Sequence, residues 1–398
     1  MPSHGRFFKA AFAVTGALAL ALAGCAAGTG LPEAEDAPLT FRAQPLFMDV
    51  NEGSALADVN QDGRLDVIAG RNWYAAPDFT PRPLRLIEDW EGYVLSNGDH
   101  VYDVNGDGYP DVVSGGFMLE EVHWYENPGP EGLGLGHLWK QHLLIQTDTA
   151  ENEGQWLIDL DGDDVPEWLV SSWIKERPLV AWKVENLGSV ETEAIARRIV
   201  IGESRNGHGL GLGDLSGDGR ADLLFEDGWY ERPAEGALET PWTLHEDWSI
   251  HASIPMLVVD VDGDGRNDVI VGESHDYGLY WLKQLDAGDG VRFERHVIDD
   301  SFSQVHALHL ADLDGDGDEE LIAGKRVLAH NGNDPGAQDP PCLLYYQWDP
   351  SRATFERFII DEGRVGAGLQ IHTGDLDGNG RLDIVVAGKS GTYLLFNE

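Results

Sequence analysis

Seven times along this chain an aspartate is followed two, four and eight residues later by another oxygen-bearing side chain, with glycine at the sixth position in all copies but one. The copies read DVNQDGRLD, DVNGDGYPD, DLDGDDVPE, DLSGDGRAD, DVDGDGRND, DLDGDGDEE and DLDGNGRLD. The first offers Asp58, Asn60, Asp62 and Asp66; the second Asp103, Asn105, Asp107 and Asp111; the third Asp159, Asp161, Asp163 and Glu167. The fourth offers Asp214, Ser216, Asp218 and Asp222; the fifth Asp260, Asp262, Asp264 and Asp268; the sixth Asp312, Asp314, Asp316 and Glu320; the seventh Asp375, Asp377, Asn379 and Asp383.

Side chains at loop positions 1, 3, 5 and 9, with a backbone carbonyl at position 7, wrap a hard cation that takes oxygen ligands, and glycine at position 6 permits the sharp turn. The expected ion is calcium, up to seven per chain. An EF-hand closes on an acidic ligand at position 12. Here that position is Ala69, Ser114, Val170, Phe225, Val271, Ala323 and Val386, and the loop runs instead into an apolar, β-branched segment that reads as a strand.

First aspartates recur every 45 to 63 residues, the period of an array of small units. Each unit has an apolar strand on either side of the loop, an aromatic strand such as NWYAAP, HWYENP or GWYERP, and a fourth such as RRIVIG, FERHVID or FERFIID. The expected fold is all-β, a seven-bladed β-propeller with calcium loops between the first and second strands of each blade. The last unit ends after its third strand, TYLLFNE, while TFRAQPLFMDV at 40–50 matches the fourth strands, so the N-terminal strand should close the ring.

These motifs resemble the FG-GAP or VCBS repeats, whose propellers carry calcium in strand-loop-strand sites; the resemblance spans residues 40–398 and implies fold and metal, leaving function open. Departures fall in the third loop, with Asp164 for glycine and Glu167 at position 9, the fourth, with Ser216, and the sixth, with Glu320. The third is expected to bind most weakly.

The formal net charge of −43 includes 24 carboxylates at loop ligand positions. Seven calcium ions would bring it to about −29, still a poor surface for nucleic acid or anionic lipid. Residues 1–25 resemble a lipoprotein signal peptide: Arg6 and Lys9 precede an apolar run, and Leu22-Ala23-Gly24-Cys25 places Cys25 as the lipidated first residue of an exported chain held in the bacterial envelope, with outer-membrane attachment expected. The lipid would be the sole membrane contact, and residues 26–39 would form a tether. The one remaining cysteine, Cys342, sits in apolar PPCLLYY and reads as buried and inert.

Six residues before each first aspartate, about one blade's height back at ~3.3 Å per residue, stand Glu52, Asn97, Glu153, His208, Ile254, His306 and Leu369. Thirteen after it stand Arg71, Gly116, Ser172, Asp227, Glu273, Lys325 and Gly388, with His251, His275 and Lys389 nearby. Together they predict a ring of mixed charge around the channel mouth opposite the calcium loops, where a ligand would bind. Any one of these histidines can instead bond neighbouring blades. His100, His309 and His372 are assigned to mid-strand packing, the recurring Trp-Tyr pairs to inter-blade core, and Trp173 to the rim.

Three segments, around His208, around His306 and GAGLQIHTGDLDGNGRLDIVVAGKSGTYLLF, resemble the propeller domain of aldos-2-ulose dehydratases, which eliminate water from ketosugars. The resemblance implies that His208 or His306 removes the proton α to a carbonyl while the other protonates the leaving hydroxyl. Lys325 or Arg71 would steady the enolate, and Glu153 or Glu52 would orient an imidazole. Glu52, Asn97, His251, Glu273 and His275 would contact ligand. The main reading is a calcium-stabilised envelope propeller that binds carbohydrate, with a sugar dehydratase or lyase acting on ketosugars or 3-ketoglycosides as its alternative. A protein partner or adhesive role rests on fold alone, and a metal held by His208, His306 and His251 is a further alternative.

Overall fold

The computed structural model describes residues 38–185, 196–203, 205–286, 288 and 291–398. Cys25 and the segments expected to be signal peptide and tether, up to residue 37, lie outside the described residues. Among those described, seven four-stranded antiparallel sheets form the blades of a β-propeller.

Each loop delivers the chain into a wholly buried second strand. Asp66–Ala69, Asp111–Ser114, Asp222–Phe225 and Asp383–Gly388 are buried at every residue. Neighbouring blades cover both faces, so these strands read as continuous apolar runs. Core clusters form where blades meet: Leu169 and Ile201 of the third pack with Leu223, Phe225 and Tyr230 of the fourth. Trp73, Tyr74, Trp229 and Tyr230 are buried in these seams, as their repetition predicted, and each contributes roughly 1.5–3 kcal/mol by burial.

The seventh blade is assembled from both ends of the chain. Phe41–Phe47 pairs antiparallel with Gly391–Asn397, Phe41 opposite Asn397, and becomes the outer strand of the sheet begun by Ile371–Gly374. No edge is left where the chain ends meet.

The loops have one shared geometry. The first aspartate accepts the position-6 amide in every loop and, in the first five, the position-5 amide as well, as Asp58 does from Asp62 at 2.9 Å and Gly63 at 2.8 Å. Position 6 takes a positive φ throughout, including Asp164 at 66°. The position-9 carboxylate ties the loop to the blade: Asp66 accepts Val59 N–H at 3.0 Å and Ala76 N–H at 2.9 Å, and Asp383 accepts those of Leu376 and Asn397.

Two insertions shape the end of the channel away from these loops. A short hairpin, Asp89–Trp90 with Tyr93–Val94, follows the first blade. A long connection, 326–341, joins the second and third strands of the sixth. Cys342 at its end is buried, and burial pushes its thiol up to about 11, so it stays an inert thiol.

Candidate functional site

His208 is seated by glycine. Gly207 has φ +142° and Gly209 φ +87°; a Cβ on the first would come within 2.5 Å of the Glu226 carboxylate, and on the second within 2.5 Å of Ala252 Cβ. This turn lets His208 N–H donate to Glu226 Oε2 at 2.8 Å and Nδ1–H donate to the Ala252 carbonyl at 2.9 Å.

Two more imidazoles are held the same way. His306, fully buried, directs Nδ1 at the Gln304 carbonyl at 3.3 Å. His275 directs Nδ1 at Asp334 Oδ2 at 2.9 Å, and His330 stacks on it at 4.0 Å while bonding the other oxygen of Asp334. An acceptor at each Nδ1 fixes a proton there, so Nε2 is the nitrogen each ring can offer to a ligand. The three rings converge so that one ligand atom of each lies within 4.8 Å of the others, and Nε2 of His208 and His306 is buried with no hydrogen-bond partner. Burial, with Arg326 and the other two rings, pushes His306 well below the usual imidazole range; burial, then His208, brings His275 down to about 4. Three imidazoles facing one point is the donor set of an open zinc-type site, and a carboxylate behind one of them orients it.

Glu153 Oε1 lies 3.3 Å from His208 Nε2 without hydrogen-bond geometry and 3.3 Å from Arg326 Nη1. Burial alone would raise this carboxyl, but His208 and Arg326 hold it at about 2. Across the cavity Glu226 accepts from Lys175 at 2.7 Å and faces His251 Nε2 at 3.1 Å. That bond raises the His251 pKa, burial opposing it. Trp90, Tyr93, Phe117 and Trp173 supply aromatic wall to a cavity of about 420 Å³.

Of the residues singled out in sequence, the structure gathers His208, His306, His275, His251 and Glu153 at the mouth. Glu52 lies behind them, bidentate to Arg326. Others are placed elsewhere. The Lys325 ammonium is buried and satisfied by Ser303 Oγ, Gln304 Oε1 and the Gly336 carbonyl, so it cannot meet an enolate. Arg71 is spent on Asp49, Asp89 and the Ile87 carbonyl. Asn97 donates to the Asn152 and Glu153 carbonyls, a structural tie between blades. Glu273 does not wall the cavity. His208 and His306 present only Nε2, which suits a ligand atom better than the acid and base pair expected of them.

Sequence reasoning passed over Arg326, Glu226, Lys175 and the pair His330 and Asp334. Glu226 and Arg326 stand one residue to either side of the thirteenth position, because second strands differ in length at this end. Asp334 lies in an insertion without counterpart in other blades.

At the opposite edge, the acidic loops fit a hard cation: carboxylates of Asp312, Asp314 and Asp316, and of Asp260, Asp262 and Asp268, converge within 4.8 Å.

Comparison with known proteins bears on the fold. Residues 260–323 match an FG-GAP-like repeat. No curated protein matches the chain. Among solved structures, the crystal structure of BBS1N in complex with ARL6DN, soaked with mercury, is similar with a TM-score of 0.52 at 13% identity, over 90% of this chain and 96% of that one. The same complex soaked with lead gives 0.51 at 11% identity, over 91% and 97%. At this identity the likeness is one of fold.

Proposed function

We propose that the channel mouth is a metal-assisted lyase site for a small neutral sugar, carried on a calcium-braced propeller that is exported and lipid-anchored through Cys25. The observation that carries the reading is the convergence of three imidazoles whose Nδ1 atoms are all committed to oxygen acceptors. His208, His275 and His306 would hold a divalent transition ion, zinc being the one whose chemistry suits three nitrogens and an open position. Bound there, such an ion supplies a Lewis acid for a carbonyl oxygen.

The remaining residues match the needs of a ketosugar. Trp90, Tyr93, Phe117 and Trp173 offer apolar surface to a sugar ring. Carboxylates of Glu52, Glu153, Glu226, Asp227 and Asp334 outnumber the cations Arg326 and Lys175, so a neutral sugar fits better than a uronate. His251, with its side chain about half exposed at 54% and oriented by Glu226, is the imidazole free to move a proton. It takes the proton α to the carbonyl and returns it to the hydroxyl on the adjacent carbon; a C=C bond forms, the C–O bond breaks, and water leaves.

Incubation of the zinc- and calcium-loaded protein with ketosugars and 3-ketoglycosides, followed by enone absorbance, tests this. The expected trace rises and is lost in His306→Ala and His251→Ala. A flat trace together with sugar binding would reduce the site to carbohydrate recognition.

A further inference from the structure

The carboxylates of Asp159, Asp161 and Glu167 in the third loop converge as those of the fifth and sixth do, but three of its four ligand side chains already close on a lysine. Lys183 Nζ lies 2.9 Å from Asp161 Oδ2, 2.6 Å from Asp163 Oδ2 and 3.1 Å from Glu167 Oε1. Those are loop positions 3, 5 and 9, the side chains expected to surround the ion. The ammonium is delivered by register: Lys183 sits on the third strand of its blade, Leu179–Val184, directly opposite Glu167 on the second, Glu167–Ser172. Its side chain is only 14% exposed.

The corresponding third-strand positions, one step along the register of their sheets toward the loop, are Ala75, Glu126, Glu231, Gln347 and Phe396 in five other blades. None of these brings a positive charge. Lys283 occupies the position in the fifth blade, but it bonds Asp262 and stands 4.0 Å from Asp264, engaging two ligand positions and not the third at Asp268. Only in the third loop do three ligand positions close on one ammonium among the described residues.

We propose that Lys183 is a tethered replacement for calcium, making the third blade's loop independent of the metal. This rests on the reading of the acidic loops as cation sites. A covalently attached ammonium pays no association entropy and cannot be chelated away, and a calcium ion would have to expel it before binding. The placement has a consequence for the channel mouth: the same blade carries Glu153 on its first strand, and Trp173 and Lys175 just beyond its second, so one wall of the cavity would keep its loop closed when calcium is scarce.

Calcium retained per chain after gel filtration, measured by elemental analysis of the full folded protein, tests the proposal. Lys183→Met should retain one equivalent more than the unsubstituted protein, and Lys183→Gln serves the same purpose if the first variant folds poorly. In the unsubstituted background Asp161→Asn should leave the count unchanged, whereas Asp103→Asn in the second loop should lower it by one. No gain in either Lys183 variant, or loss of an equivalent in Asp161→Asn, would overturn the proposal. If the unsubstituted protein holds calcium and the variants gain none, the fault lies with the role given to Lys183; if none of them holds calcium, it lies with the reading of the loops.

Discussion

Arg326 and Glu52 form a two-pronged pair, Nε to Oε1 at 2.7 Å and Nη2 to Oε2 at 2.8 Å, with both side chains out of water. The pair joins the connection after the sixth blade's second strand to the segment entering the first blade, 274 residues away. It also aims Nη1 at Glu153, and so links the ring's frame to the cavity. Glu52→Gln removes the charge and leaves the guanidinium buried with incomplete compensation. It should destabilise the fold by about 3–5 kcal/mol, read as a lower urea midpoint at unchanged slope. A loss under ~1 kcal/mol would mean that the pair is solvated, as surface pairs are.

Asp334 touches no ligand position of the proposed ion, yet it sets which nitrogen of His275 carries the proton. Asp334→Asn should weaken zinc binding by about 10- to 100-fold while leaving calcium content unchanged. Competition against a chromophoric chelator measures this. Unchanged affinity would show that His275 does not depend on this partner for its tautomer.

Calcium removal should act on the edge opposite the site. With three or four carboxylates gathered at each loop and at most a few cations beside them, chelation leaves like charges incompletely neutralised and should lower the melting temperature by several degrees, since ~1 kcal/mol corresponds to about 2–4 °C for a chain somewhat smaller than this one. Readdition of calcium, but not of magnesium at equal concentration, should restore it. A melting temperature indifferent to chelator would rule out calcium as a brace.

Three first-strand histidines give the fold an acid limit. His100 is pushed down to about 3 and His309 to about 4, each by burial and then by His372, and His372 is itself lowered by burial. All three are neutral in the fold, whereas in the unfolded chain they titrate near 6.5. Depressed imidazole values make their share of stability complete above about 6.5; it falls as pH drops through 6.5 toward about 4 and on to about 3. In excess calcium, the urea midpoint should decline over this range, and His309→Gln should flatten the decline. An identical slope in that variant would assign the acid sensitivity to other groups.

How much of this was legible in sequence depends on whether a residue belongs to the repeat. The loops, the buried second strands, the Trp-Tyr seams and the closing strand Phe41–Phe47 recur or complete a recurrence, and each lies where the repeat puts it. Counting back six residues also reached His208, His306 and Glu153, because first strands run at nearly uniform pitch from loop to mouth. Counting forward thirteen served less well. Second strands range from four residues in Asp222–Phe225 to six in Glu320–Lys325, so the count found Lys325 and Asp227 and missed their neighbours Arg326 and Glu226. Asp334 and Trp90 come from insertions that no period describes. Nor does sequence give side-chain direction: Lys325 and Arg71 have suitable chemistry and point into hydrogen-bonded cages of their own.

The most direct test of the three-imidazole centre is a cobalt titration of the calcium-saturated protein, because cobalt reports its nitrogen ligands in the visible spectrum. One equivalent should bind with the absorption of a four-coordinate site, vanish in His306→Ala, and shift when a ketosugar is added. Absence of binding, or a spectrum unchanged by His208→Ala, His275→Ala and His306→Ala alike, would contradict the assignment of the channel mouth as a metal-assisted site.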